Sequence, residues 1–118
     1  MPSGAVLLVD DNAETCAALS AVLALRGCET VTIHDAARAL EYLRTNGERV
    51  SLVVLDLCMP GMDGFEFLRV KAADPVLASI PVVVFSASDG DRLPRAIPFV
   101  RKGVDPDKLL ATIEGAAR

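Results

Sequence analysis

The sequence predicts an α/β fold: a doubly wound, mostly parallel sheet with helices on both faces. Two observations carry this prediction. Ala5–Val9 (AVLLV) and Leu52–Leu55 (LVVL) are continuous apolar runs, the mark of strands buried on both faces. Strand-like and helix-like segments then alternate along the chain, and strands joined through helices lie parallel in one sheet. Such crossovers are right-handed almost without exception, which leaves few topologies. With 118 residues, 52% of them apolar, the chain suits one domain with one core.

Ala5–Val9 is the first strand. A helix is expected over Ala13–Arg26, where Cys16, Leu19, Val22 and Leu23 share a face and Gly27 supplies the stop. Glu29–Ile33 (ETVTI) alternates polar and apolar residues, so it reads as a half-exposed edge strand. Asp35 can cap a second helix with Ala36, Ala39, Leu40 and Leu43 on its apolar face and Gly47 at its end. Leu52–Leu55 is the third strand. Asp63, with Glu66 three residues on, resembles a capping box and opens a third helix through about Ala72. Ile80–Phe85 (IPVVVF) is the fourth strand, in which Pro81 fits only near the beginning. Ile97–Arg101 (IPFVR) is a short fifth strand, and Asp105 caps a last helix with Pro106 at its first position. Leu109, Leu110 and Ile113 form the apolar face of that helix.

The net charge of −4 argues against a nucleic-acid surface. No apolar run approaches the ~20 residues of a membrane span, and no signal-peptide pattern opens the chain. The three cysteines, Cys16, Cys28 and Cys58, are odd in number and lack CxxC spacing. They read as buried, reduced thiols of a cytoplasmic protein rather than as a disulfide framework or zinc site.

A doubly wound sheet binds ligands beyond the carboxyl ends of its strands, at the switch in strand order. The first strand ends in Asp10 and Asp11, the third in Asp56, the fourth in Ser86 and the fifth in Lys102. His34 and Asp35 end the edge strand and fall outside this cluster. Carboxylates brought that close repel one another unless a cation offsets the charge or one protonates. Magnesium suits the task, because it takes oxygen ligands and prefers one or two carboxylates plus waters and a phosphate. A lysine can hold a phosphate oxygen, and a serine hydroxyl can donate to another. A carboxylate in such a site can itself be a nucleophile and form an acyl phosphate, with the cations neutralising charge on the transferring group. The simpler readings are Asp10, Asp11 or Asn12 as a helix cap, Asp56 and Ser86 as loop residues, and Lys102 as a surface lysine.

Four segments resemble the receiver domain of two-component response regulators: Val6–Asn12 (VLLVDDN), Leu52–Gly64 (LVVLDLCMPGMDG), Val82–Ser88 (VVVFSAS) and Phe99–Gly103 (FVRKG). They occur in family order, and the separations of 45 residues from Asp11 to Asp56 and 30 from Asp56 to Ser86 are also family-like. The resemblance implies a flavodoxin-like five-stranded sheet in the order 2-1-3-4-5, and one receiver domain over residues 1–118. Asp56 looks like the phosphoacceptor. Asp11 and Asp56 look like direct Mg2+ ligands, with Asp10 acting through water and the backbone carbonyl of Cys58 as a further ligand. Ser86 looks like the hydroxyl that moves to the phosphoryl group, Lys102 like the phosphate-pairing lysine, and Phe99 like the aromatic that changes rotamer on activation. The implied donor is a histidine kinase or phosphotransfer protein, and an unknown protein reads the signal downstream. Neither a membrane nor direct nucleic-acid contact is implied. Such a module is not an enzyme, although it assists its own phosphorylation and dephosphorylation.

Two departures stand out. Only 16 residues separate Ser86 from Lys102, where the family has room for a full fourth helix. Gly90, Pro94 and Pro98 disfavour a regular helix of more than ~2 turns, since an interior proline costs about 3 kcal/mol. A loop or one short helical turn is expected instead. Gly103 also follows Lys102 in place of the family's cis-proline, so a trans bond is expected. Both departures disturb the output surface and leave the chemistry in place.

Other functions fit less well. A haloacid-dehalogenase-type phosphatase needs an acid two residues after its nucleophile, where Cys58 stands. A flavin or nucleotide binder needs a phosphate loop after the first strand, and DDNAET is not one. The remaining alternative is a receiver-like binding module that no longer phosphorylates and acts by protein–protein contacts.

Overall fold

The computed structural model describes residues 2–88, 90–103 and 106–118. One sheet contains β1 (Ala5–Val9), β2 (Thr30–Ile33), β3 (Val50–Leu55), β4 (Val82–Ser86) and β5 (Phe99–Arg101), in the order β2-β1-β3-β4-β5. Every neighbouring pair is parallel. The helices are α1 (Ala13–Leu25), α2 (Ala36–Asn46), α3 (Gly64–Ala73) and α4 (Pro106–Ala116). This is the expected doubly wound, flavodoxin-like α/β architecture.

The two-residue period of the strands divides the core. Leu7, Val9, Val53, Leu55 and Val84 pack with Leu40 and Leu43 of α2 and Phe67 of α3. The intervening residues Val6, Leu8, Leu52, Val54, Val83 and Val100 pack with Leu23 of α1 and Leu109, Leu110 and Ile113 of α4. β1 is therefore apolar at every position, and β3 at every position but Ser51, because both faces are covered. Each fully buried Val or Leu contributes about 1.5–3 kcal/mol, which makes these two strands a stiff platform for the residues that follow them. β2, at the edge, is only partly buried, as its alternation predicted.

The caps follow the sequence with instructive exceptions. Asn12, Asp35 and Asp63 accept hydrogen bonds from the backbone N–H groups of Thr15, Arg38 and Glu66 and start the first three helices. Glu66 turns along α3 to Arg69 at 3.3 Å, so the Asp63 half of the capping box is the one that forms. Gly27, at φ 75°, ends α1 with Cys28 N–H bonded to Leu23 C=O and Gly27 N–H to Ala24 C=O, the paired closure that a left-handed glycine allows. Gly47 does not stop α2 in that way. Its φ of −57° is helical, and the chain tightens into one 3-10 turn (47–49) before β3. The Arg118 guanidinium donates to the carbonyls of Gly47 and Val50 there, so no left-handed residue is needed. The last helix begins at Pro106 as expected, while its cap, Asp105, lies outside the described residues.

β4 starts at Val82, two residues later than predicted, because Ile80 N–H closes a turn on Leu77 C=O. β5 is likewise shorter at its start, because Ile97 N–H bonds to Pro94 C=O. Among the described residues no helix lies between β4 and β5. Two successive turns fill that interval, closed by Leu93 N–H to Gly90 C=O and Ile97 N–H to Pro94 C=O. Cys16 and Cys28 are buried free thiols, but Cys58 is exposed, contrary to expectation, because it lies in the loop after β3.

Candidate functional site

β1, β3, β4 and β5 deliver their polar ends to one edge. Asp56 N–H continues the β1–β3 ladder by bonding to Val9 C=O, and Lys102 N–H bonds to Ser86 C=O. Asp10, Asp56 and Ser86 are buried, and Asp11 is exposed. Their positions are set by strands rather than by side-chain contacts, so the site is built into the sheet.

Asp56 is held from both sides. Ser86 Oγ donates to its Oδ1 at 2.6 Å, and Lys102 Nζ lies 3.6 Å from its Oδ2. Lys102 Nζ also donates to Asp10 Oδ2 at 2.7 Å. Burial pulls the Lys102 ammonium down, but the hydrogen bond and charge of Asp10, with Asp56 behind them, outweigh burial and leave its pKa above the ordinary lysine value. The Lys102–Gly103 bond is trans, and Gly103 takes φ 91°. The lysine therefore reaches the carboxylates without the proline.

Carboxylate oxygens of Asp10, Asp11 and Asp56 lie within 4.8 Å of one another. One lysine against three carboxylates leaves excess negative charge, and an all-oxygen donor set of this kind suits a small divalent cation. Asn12 takes the capping role at α1, which leaves Asp10 and Asp11 available to the site. Asp10 Oδ1 accepts from Asn12 N–H at 2.9 Å, which orients it.

The loop after β3 is shaped by close backbone approach. Gly64 N–H bonds to Leu57 C=O, and a Cβ at Gly64 would stand 2.6 Å from both the Asp56 carbonyl oxygen and Leu57 Cα. Cys58 N–H lies 3.5 Å from Asp56 Oδ1, and Cys58 Sγ touches Ser88 Oγ at the rim. Phe99 is partly buried and packs on the α2–α3 side, its ring against Gly90.

One contributor was missed by the sequence reading. His34 Nδ1 is 2.8 Å from Asp10 C=O, with Cys16 Sγ beside it. Burial, then the Asp10 charge, pushes the Cys16 thiol up to about 11, so it stays protonated. The available signal was the alignment of β2 with β1, whose last pair is Val9↔Ile33 and sets the next residues side by side.

Acidic, hydroxyl and lysine groups thus meet at the switch edge of a doubly wound sheet. The family model for the response regulator receiver domain matches residues 6–114, and the chain belongs to that family. It is 36% identical to the Arabidopsis thaliana two-component response regulator ARR17 over 71% of this chain and 61% of that protein. It is 34% identical to the Caulobacter vibrioides response regulator PleD over 98% of this chain and 26% of that one. The chain thus spans about three-fifths of the first relative and about a quarter of the second. Among solved structures, a response regulator receiver protein from Pseudomonas putida superposes with TM-score 0.85 at 30% identity, covering 98% of both chains. The Vibrio cholerae chemotaxis protein CheY4 superposes with TM-score 0.82 at 25% identity, covering 96% of this chain and 98% of that one.

Proposed function

We propose that Asp56 accepts a phosphoryl group from a phosphohistidine of a histidine kinase or phosphotransfer protein. The observation that carries this reading is the convergence on one buried carboxylate of a hydroxyl at 2.6 Å and an ammonium at 3.6 Å, beside two further carboxylates. An Asp56 carboxylate oxygen attacks phosphorus, the P–N bond of the donor breaks, and the donor histidine takes up a proton. The product is an acyl phosphate. Ser86 Oγ donates to a phosphoryl oxygen in place of Asp56 Oδ1, and Lys102 exchanges its Asp10 contact for a second phosphoryl oxygen. Hydrolysis returns Asp56 and inorganic phosphate, so the module assists both of its own reactions without being a conventional enzyme.

The carboxylates of Asp10, Asp11 and Asp56 and the backbone carbonyl of Cys58 would hold Mg2+. When bound, the cation supplies charge neutralisation for the phosphoryl oxygens. Phe99 changes rotamer together with Ser86 and completes the switch. Residues 1–118 act as one receiver domain of a two-component phosphorelay in the cytoplasm. Its output goes to a protein partner, by a surface altered between β4 and β5. Among the described residues no helix is long and apolar enough to cross a membrane.

Incubation with acetyl phosphate and Mg2+, read by intact mass, tests the proposal. One added phosphoryl group, absent without Mg2+ and absent in Asp56→Asn, is expected. No addition under any condition favours the alternative, a binding module that works without phosphorylation.

A further inference from the structure

A groove of about 480 Å³ lies beside α3, between the start of β4 and the segment that leads into β5, with Ala116 of α4 also lining it. Leu68 and Ala72 of α3, Ile80 and Val82 at the start of β4, and Ile97 wall it. Lys71 also lines it, one helical turn after Phe67 on the buried face of α3, and is only 5% exposed. A lysine there is costly, because its ammonium is taken from water. Burial, and then the positive charge of Arg118, pull its pKa down. Among the described residues Lys71 Nζ has no hydrogen-bond or ion-pair partner. Yet no side-chain nitrogen of the described residues that is sealed from solvent lacks a partner, so the ammonium keeps contact with solvent, and Lys71 forms part of the groove wall. Among the described residues no acidic one lines the groove, although the chain as a whole carries net charge −4. The site is remote from Asp56: Val82 opens β4 and Ser86 closes it, about 13 Å away along the strand.

We propose that this groove is a second binding site, for a small organic acid that carries one carboxylate on an apolar body. The volume falls within the range of small-ligand sites. The carboxylate pairs with Lys71, and the apolar body covers Leu68, Ile80, Val82 and Ile97. A phosphate or polyanion calls for several convergent donors, and these walls offer a single ammonium. The inference does not depend on the phosphoacceptor reading.

The test is a two-dimensional amide NMR titration of the full chain with acetate, hexanoate and octanoate, with octanol as the uncharged control. Saturable shifts are expected at the amides of Lys71, Ala72, Ile80, Val82 and Ile97. Affinity should rise about fourfold per methylene until the groove is filled. Lys71→Met and Lys71→Gln should weaken octanoate about tenfold or more, leave octanol unchanged, and retain native spectral dispersion. No saturable shift with any acid overturns the proposal. So does equal binding of octanoate and octanol by the unmodified chain, or undiminished octanoate binding by both variants. Binding of an acidic amphipathic peptide but of no free acid would assign the groove to a protein partner and overturn it as well.

Discussion

Replacing Lys102 with methionine removes the one cation that, among the described residues, pairs with both Asp10 and Asp56. In the native site its Nζ is 2.7 Å from Asp10 and 3.6 Å from Asp56, and those side chains are only 8% and 7% exposed. Stripping one partner from a buried charge pair costs about 3–5 kcal/mol. The Lys102 side chain is 21% exposed, which places the expectation near the low end, about 3 kcal/mol. For 118 residues the unfolding entropy is about 0.25 kcal/mol/K, so the melting temperature should fall by about 12 °C. Mg2+ should restore more stability to the variant than it adds to the native chain, because the cation meets carboxylates left without their lysine. The pH dependence has a definite sign. The folded-state pKa of Lys102 is raised, so its contribution is complete below the ordinary lysine pKa of about 10.4 and is lost as pH rises through the higher folded value. The variant should lack that alkaline loss. Differential scanning calorimetry with and without Mg2+ reads all three effects. A drop below about 1 kcal/mol, with no extra response to Mg2+, would show that Lys102 does not hold the acidic cluster.

Other changes separate structure from chemistry. Asp56→Asn leaves the Lys102–Asp10 contact intact and relieves carboxylate repulsion, so stability in denaturant should stay within about 1 kcal/mol of the native chain while phosphorylation disappears. Gly64→Ala puts a methyl 2.6 Å from the Asp56 carbonyl oxygen. It should cost about 1–3 kcal/mol and slow acetyl phosphate turnover, both measurable on one preparation. Asn12→Ala should cost about 1 kcal/mol in chemical unfolding and leave phosphoryl uptake intact, because Asn12 caps α1 through Thr15. Gly90→Ala meets the Phe99 ring at 2.9 Å. It should displace that ring in the NMR spectrum and reduce the difference between the free and beryllofluoride-treated states.

Much of the site was legible because the sheet is parallel and buried. The apolar runs fixed β1 and β3, and in a parallel sheet the residue after each strand must arrive at the same edge. Asp10, Asp56, Ser86 and Lys102 therefore followed from strand ends alone. The prolines and Gly90 likewise announced that, among the described residues, no helix lies between β4 and β5. What was hidden depended on contacts between elements. His34 was set aside as outside the cluster, yet β2–β1 pairing brings its ring to the Asp10 carbonyl. Gly47 resembled a left-handed stop, but the distant Arg118 caps that turn. Cys58 passed for a buried thiol because loop exposure has no period in sequence. Lys71 carried no signal of its own, because its place four residues after Phe67 matters only once that face is seen to be buried.

The central claim is that Asp56, and not another carboxylate of the cluster, carries the phosphoryl group. Borohydride reduces an acyl phosphate to the alcohol and marks the modified aspartate as homoserine. After acetyl phosphate and Mg2+ treatment, peptide mapping of the reduced chain should place homoserine at position 56 alone. Homoserine at position 10 or 11, or at none of the three, would contradict the account.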